Sequence, residues 1–271
     1  MLKINKYSLI KNAAVLGVAS LSLSLIATSS SFSDGHIYGE NNPVTVKGYK
    51  GSKTDSTAYT GQMARQLQHN SLKKIVSKGN PSDPTSNTLN KMLNYFENKD
   101  KTKSMAILDP KSSSKFPVKQ KMVGEISTGS NLAGKADGRV QLSWPNNMTG
   151  ADVIRFMIKK ASKISGGVDM KNGMNYPQLI SKYTMGAVLY HQACDNYLDE
   201  KMTASNKPND KPYKKGAYYT GKEHSWDEAF GYWGAAAHTM TLSAQQSYDV
   251  AKKKDLKAAD FNKDGVVDLY K

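Results

Sequence analysis

The sequence predicts a mostly α-helical protein, a bundle of five or six helices with a loop-rich insertion and a C-terminal EF-hand-like loop. Apolar residues recur at helical spacing in several separate stretches, each bounded by capping or helix-breaking residues. Strand-like runs are short and lie within the insertion, residues 98–148. With 271 residues, the chain is long enough to bury one sizeable core.

The chain opens with a pattern typical of a secretory signal peptide, predicted at residues 1–29. Lys3, Lys6 and Lys11 form the charged start, and an apolar run follows from Ala13 to Ala27. Because a membrane-spanning helix needs roughly 20 apolar residues, this run is short for an uncleaved anchor, which is the alternative. We therefore expect export to the periplasm or the extracellular space, with no integral membrane segment after cleavage.

The net charge limits the classes of binding partner, and the cysteine content limits how the domain can be stabilised. The net charge of +15 suits an anionic surface or nucleic acid. Only Arg65, Arg139 and Arg155 among the 38 cationic residues are arginines, whereas phosphate and base recognition favours arginine. We therefore expect no nucleic-acid partner. Cys194 is the only cysteine, so an internal disulfide is excluded and the domain must rely on its core or on bound ions.

Residues 30–57 are rich in polar residues and glycine and are predicted as a linker before the helical domain, residues 58–271. A first helix is predicted from Tyr59 to Gly79 and a second after Pro84. Thr149 is the predicted cap of a third helix, which ends at Gly166. Between the second and third helices, short strands are predicted near residues 118–123 and 140–144. An α+β domain is the alternative if these strands pair.

The fourth helix is predicted from Tyr176 to Met202, with Pro177 in its first turn. Its predicted core stripe consists of Leu179, Tyr183, Tyr190, Cys194 and Tyr197. Another side of the helix carries His191 and Asp195 at i, i+4.

The fifth helix begins with a capping-box pattern, Thr220 followed three residues later by Glu223. Its predicted core stripe consists of Trp226, Phe230, Trp233 and Ala237. The opposite face carries His224 and Glu228 together with Gly231. Since a glycine inside a helix costs about 1 kcal/mol relative to alanine, we expect another helix or a ligand to approach closely there.

The two histidine–carboxylate pairs predict a shared metal site. His191 with Asp195 and His224 with Glu228 lie on consecutive helices that we expect to pack antiparallel. Imidazole and carboxylate ligands suit iron or zinc. In this hypothesis Gly186 and Gly231 leave room for the ligand, while Asp227 and Glu223 are supporting or surface groups. The alternative is two ordinary i, i+4 pairs that bind no metal.

A sixth helix, capped by Ser243 and extending to Leu256, precedes an EF-hand-type loop. Alternate oxygen ligands and a glycine at position 6 are typical of such calcium loops. The predicted calcium ligands are Asp260, Asn262, Asp264, the carbonyl of Val266, and Asp268. Position 12, which usually carries a closing carboxylate, is Lys271. We therefore expect weak Ca²⁺ binding, with a polar loop that holds no ion as the alternative.

The run His224 to Tyr232, His-x-Trp-Asp-Glu-Ala-Phe-Gly-Tyr, resembles the signature of an uncharacterised family of exported bacterial proteins. The Gly61-Gln62-x-x-Arg65 run resembles the same family, so the resemblance covers residues 58–271. It implies that the domain continues past Lys271 and that this sequence is C-terminally truncated.

More distantly, the region Gly221 to Glu228 is similar to the Gly-x-His-x-x-Glu motif of imelysin, although the spacing differs. This resemblance implies either an iron-associated binding protein or a metal-dependent peptidase. The sequence contains no His-Glu-x-x-His motif and no identifiable Ser or Cys nucleophile beside a base. We predict an exported binding protein for a metal ion or a small iron-containing ligand. The alternatives are an imelysin-like metal-dependent peptidase and a structural envelope protein without enzymatic activity.

Overall fold

The computed structural model describes residue 38 and residues 42–83, 87–98, 104–206, 209–233 and 237–269. The predicted signal peptide lies outside the described residues. The helices are α1 (Thr60–Val76), α2 (Asn87–Glu97), α3 (Gly150–Ser162), α4 (Tyr176–Thr184), α5 (Gly221–Trp233) and α6 (Ala244–Ala251). Helix α4 continues without a break as the π-helix Met185–Lys201. The predicted mostly α-helical bundle is therefore confirmed.

The main core lies where α1 to α5 and the π-helix meet. Its largest fully buried side chains are Leu72, Met92, Phe96, Leu132, Ile154, Ile158, Ile180 and Tyr232. Within the described residues, the strands form one small sheet, the antiparallel pair β1 (Val168–Asp169) and β2 (Met174–Asn175) between α3 and α4. The helical bundle, rather than a sheet, thus provides the frame on which the polar residues are placed.

The insertion forms single-residue bridges where the sequence predicted strands. Val118 pairs with Val267, and Val140 pairs with Thr149, without extending into ladders. The strand predictions at 118–123 and 140–144 are therefore wrong, since isolated pairs of this kind lack the neighbouring hydrogen bonds that define a strand. The insertion nevertheless contributes to the hydrophobic interior, because its apolar residues form a second core against α1. That second core consists of Ala64, Leu67, Met105, Ile107, Val123 and Ile126.

The predicted helix starts agree with the observed capping. Thr149 and Asp152 form a reciprocal capping box at α3, and Ser243 and Gln246 form one at α6. At α5 the Glu223 carboxylate accepts from the Thr220 backbone N–H at 2.6 Å. Helix α6 ends at Ala251 rather than at the predicted Leu256. Lys253, with φ +56°, takes the left-handed conformation that interrupts a helix.

The predicted core stripe of the fourth helix is wrong at Leu179 of α4, which is 40% exposed, and at Tyr190 of the π-helix, which is 62% exposed, whereas Tyr197 is buried as predicted. The other buried positions of the π-helix are Val188, Leu189, Gln192 and Ala193. A π-helix closes i→i+5 hydrogen bonds, so its turn is wider than that of an α-helix. A stripe extrapolated at 3.6 residues per turn therefore drifts off the buried side.

The predicted core stripe of α5 is also wrong. Trp226 is 52% exposed and Trp233 is 78% exposed, whereas the buried residues include Ser225, Ala229 and Tyr232. Gly231 lets α5 pass close to α1, and Tyr232, rather than a tryptophan, is the large side chain that α5 buries in the main core.

Residues 42–59, most of which were predicted as linker, lie against α5. Thr45 Oγ1 donates to Glu223 Oε1 at 2.6 Å, and the Tyr218 hydroxyl donates to the Thr57 carbonyl at 3.1 Å. The ring of Tyr38 stacks on that of Phe230, with centroids 3.7 Å apart. We call residue 38 and residues 42–59 the N-terminal segment. Among the described residues, no helix combines the length and the apolar character needed to cross a membrane.

Candidate functional site

His224 and Glu228 form the predicted i, i+4 pair on α5. His224 Nε2 lies 3.4 Å from Glu228 Oε2, and both side chains are mostly buried. Gln62 of α1 donates its Nε2–H to Glu228 Oε1 at 2.7 Å. The centroid of the His224 ring lies 4.5 Å from that of Tyr213 and 4.7 Å from that of Tyr219. The pair is thus held by Gln62 and by these two tyrosine rings.

Glu228 also belongs to a wider polar cluster with Arg65, Lys135, Tyr197 and Tyr232. Burial, reinforced by the negative charge of Glu228, raises the pKa of the Tyr197 phenol. Burial and the positive charge of Arg65 lower the pKa of Lys135, while Glu228 opposes this effect. The Arg65 guanidinium lies 5.8 Å from the centre of the buried Tyr232 ring. The cluster therefore joins α1, the insertion, the π-helix and α5 around one carboxylate.

The two glycines that were expected to leave room for a ligand have different surroundings. A Cβ added at Gly231 would lie 2.7 Å from the Cβ atoms of both Tyr59 and Gln62. Gly231 therefore permits close approach of α1, which is the helix-packing reading of the sequence. Gly186 has nothing within 4 Å of an added Cβ and is exposed on the π-helix.

His191 and Asp195 form a second pair with different neighbours. His191 Nδ1 lies 3.1 Å from Asp195 Oδ2, and Arg139 donates to the same oxygen at 2.8 Å. Arg139 also binds Asp137 through two of its nitrogens, and this contact lowers the pKa of Asp137 to about 2. The Asp137 backbone N–H also donates to the Ala187 carbonyl. Together, these contacts of Asp137 and Arg139 join the insertion to the π-helix.

The shared iron or zinc site on His191, Asp195, His224 and Glu228 stays a prediction. In the structure each histidine pairs with its own carboxylate, and the two pairs have different hydrogen-bond partners. Within the described part of the chain, no three His, Cys, Asp or Glu side chains are grouped so that they could hold a metal ion.

Asp227 is buried, which excludes the surface alternative predicted for this residue but not the supporting one. The residue is 3% exposed, and its Oδ2 accepts from the Ala58 backbone N–H at 2.5 Å. Burial raises its pKa from 3.8 to about 7, and the negative charges of Glu228 and Asp55 add to this effect. Since helical spacing assigned Asp227 to neither face of α5, only the packing of the N-terminal segment revealed its burial.

The predicted calcium ligands form a compact loop after α6. Asp260 Oδ2 accepts from the Gly265 N–H at 2.8 Å, and Asp264 Oδ1 accepts from the Val266 N–H at 2.9 Å. Gly265 has φ +85°, the conformation for which a glycine is suited at position 6. Asn262 Nδ2 donates to Asp264 Oδ2 at 2.8 Å, and this contact lowers the pKa of Asp264.

The insertion holds the far end of this loop. The Val267 N–H donates to the Pro117 carbonyl, and the Lys119 N–H donates to the Val267 carbonyl, both at 2.9 Å. Asp268 accepts from Lys119 Nζ at 3.1 Å and from Gln120 Nε2 at 2.7 Å. Position 9 of the loop is therefore engaged by side chains of the insertion. Lys271, at position 12, lies outside the described residues.

The sequence reasoning did not assign roles to Gln62, Arg65 and Lys135, which surround Glu228. Gln62 and Arg65 belong to the Gly-Gln-x-x-Arg run, and their i, i+3 spacing places them close together on one side of α1. That spacing was the available signal for the two α1 residues. Lys135 follows no regular pattern, because it lies in a short 3₁₀ turn of the insertion.

Comparison with known proteins gives one result at the level of the domain. The family described as "Domain of unknown function (DUF4856)" matches residues 40–265. No curated protein and no solved structure matches the chain. The family match includes the helical bundle, most of the N-terminal segment and the first six residues of the calcium-type loop.

Proposed function

The chain belongs to the DUF4856 family of domains of unknown function, and we propose that it is an exported calcium-binding protein of the periplasm or cell envelope. The observation that carries the proposal is at Asp260. Its Oδ1 is buried without a hydrogen-bond partner, while its Oδ2 is fixed by the Gly265 N–H. A buried carboxylate oxygen without a partner is costly unless a cation or a donor satisfies it. A calcium ion bound in the loop would satisfy it.

The donor set fits a hard cation. Oxygen atoms of Asp260, Asn262 and Asp264 and the carbonyl of Val266 are the ligands that Ca²⁺ prefers. Asp268 occupies position 9, which in such loops often acts through a water molecule, so its contacts with the insertion are compatible with this role. The bound ion would supply positive charge beside the Asp260 and Asp264 carboxylates.

Calcium would stabilise more than the loop. Val267 is joined to Pro117 and Lys119 of the insertion, and Leu269 contacts the second core against α1. Ordering of the loop would therefore also hold the insertion on α1. This role is structural rather than catalytic, and it suits an exported domain that has no internal disulfide. The peptidase and the ion-free structural protein are the alternatives.

We expect Ca²⁺ to bind with a Kd of about 10⁻⁴ to 10⁻³ M, the range typical of extracellular modules, because position 12 carries lysine. At ten times the Kd, the free energy of unfolding should rise by about 1.4 kcal/mol relative to chelator-treated protein. Calorimetric titration and thermal unfolding with CaCl₂ measure these two quantities.

Asp264→Ala should abolish the binding heat and the stabilisation. Asp249→Ala on α6 is the matched control and should retain both, since Asp249 lies outside the loop. Equal stabilisation of wild type and Asp264→Ala by CaCl₂ would show a general salt effect and would contradict the calcium site.

Export has its own test. We expect the protein recovered from the periplasm or medium of an expressing bacterium to begin between about Ala27 and Ser33, because signal peptidases cut after small residues. Intact-mass measurement gives this N-terminus directly. Recovery of the chain from Met1 in the inner-membrane fraction would support the uncleaved anchor instead.

A further inference from the structure

A pocket of about 380 Å³ lies where α1, the insertion and the C-terminal part of the chain meet. We call it the α6 pocket, because α6 forms one of its walls through Ser247, Val250 and Ala251. Leu67 of the second core and Met63, which packs against that core, line the pocket from α1. Its volume is within the range of small-molecule sites. The pocket is thus a gap at the edge of the second core.

Several apolar side chains around the pocket are only partly buried. No residue of α6, all of which the structure describes, is buried, so this helix covers the pocket without filling it. Protein interiors are packed as densely as organic crystals, and voids larger than a water molecule are few. An apolar gap of this size therefore lacks contacts that an apolar molecule would supply. The partly buried apolar residues that line the pocket are Met63, Pro110, Phe116, Leu242, Val250 and Leu256.

The acidic and basic side chains of the pocket wall are already paired. Among the described residues, these are Lys253 and Asp268. Lys253 Nζ forms an ion pair with Asp109 Oδ1, and Asp268 accepts from Lys119 and Gln120 of the insertion. A charged ligand would have to break one of these pairs or be buried without a counter-charge, and both are costly. The wall therefore favours an uncharged ligand.

His238, which also lines the pocket, adds no charge to it. The residue is 5% exposed, and burial lowers its pKa, so the imidazole is neutral at neutral pH. Gln66, another polar residue of the wall, donates its Nε2–H to the Tyr232 carbonyl at 2.7 Å. The polar residues therefore leave the pocket electrically neutral, and its apolar walls determine what it can bind.

We propose that the α6 pocket binds a small uncharged amphiphile, a medium-chain alkyl group with one neutral polar end. The alkyl chain packs against Leu67, Phe116 and Val250. Asn70 and Ser247, which also line the pocket, carry uncharged hydrogen-bonding groups for the polar end. Affinity comes mainly from the apolar surface that the chain and the wall remove from water together.

The test is a calorimetric titration of the full chain with 1-octanol, with octanoate and n-octylammonium as charged probes of the same chain length. We expect saturable binding of octanol at a single site, and binding of either ion that is weaker by about tenfold or more. Titrations in CaCl₂ and in chelator should agree, because backbone hydrogen bonds of Val267 to the insertion hold this wall of the pocket. The result is therefore separate from that of the calcium loop.

Ser247→Phe should weaken octanol binding by about tenfold or more, because the added ring occupies the pocket. Gln245→Phe is the matched control and should bind as wild type does, since Gln245 lies on α6 but does not line the pocket. Val250→Lys should reverse the preference, so that octanoate binds more tightly than octanol, because it places an unpaired cation in the wall. Thermal unfolding of each variant establishes that it is folded.

Three outcomes would overturn the proposal. Absence of binding at millimolar octanol would mean that the walls of the pocket close on one another in solution. Equal or tighter binding of octanoate by the wild-type protein would make the pocket an anion site that takes Lys253 from Asp109. Unchanged octanol affinity in both Ser247→Phe and Val250→Lys would place the ligand elsewhere on the protein.

Discussion

Asp227→Asn is expected to raise the free energy of unfolding above pH 7 by up to about 4 kcal/mol relative to wild type. Each unit of pKa shift corresponds to about 1.36 kcal/mol, and the pKa of Asp227 rises from 3.8 to about 7. Asparagine keeps a carbonyl oxygen for the Ala58 N–H but carries no charge that must be buried. The variant should therefore be more stable than the natural chain at neutral pH.

The sign of the pH dependence follows from proton binding. Because the folded pKa of Asp227 is raised, the native state binds the proton more tightly than the unfolded state does. Its contribution to stability is full below about pH 4 and is lost as pH rises through about 7. The stability difference between Asp227→Asn and wild type should grow by about 1.4 kcal/mol per pH unit between these limits and then level off.

Chemical denaturation of both proteins from pH 4 to pH 8 measures this difference. Asp137→Asn is the matched control with the opposite sign, because the Arg139 contact lowers the pKa of Asp137 to about 2. Its native charge stabilises the fold above pH 4, so its removal should lower stability at neutral pH. A pH-independent difference for Asp227→Asn would mean that this carboxyl has an ordinary pKa and is solvated.

Gly231→Ala is expected to lower the free energy of unfolding by about 1–2 kcal/mol, although alanine is the better helix former. The added Cβ would lie 2.7 Å from the Cβ atoms of Tyr59 and Gln62, so α1 or α5 must move. Overpacking of this kind costs about 1–3 kcal/mol and outweighs a propensity gain of about 1 kcal/mol. Gly231→Val should deepen the loss to about 3 kcal/mol.

Gly186→Ala is the control for this comparison, because the same change is made on an exposed helical turn with nothing within 4 Å. It should raise stability by up to about 1 kcal/mol. Thermal or urea unfolding of Gly231→Ala, Gly231→Val and Gly186→Ala measures these changes in the free energy of unfolding. Stabilisation by both alanines would show that the two helices have room at Gly231, as a ligand-binding glycine would require.

Part of the fold could be read from local patterns. The capping residues Thr149, Thr220 and Ser243 precede α3, α5 and α6, as predicted, because caps act on backbone groups within three residues. The loop of Asp260 to Asp268 likewise has the turn at Gly265 that its spacing predicts. The two i, i+4 pairs at His191 and His224 also form, since helical spacing alone places them together.

The sequence by itself therefore determined the helical class, the helix starts and the local pairs, all of which depend on interactions between residues close along the chain. Only the tertiary structure decided which helix faces are buried. The wider turn of the π-helix placed Tyr190 outside the core, and α5 buries Tyr232 while Trp226 stays half exposed. The burial of Asp227 likewise depends on a segment more than a hundred residues away, whose path no local pattern specifies.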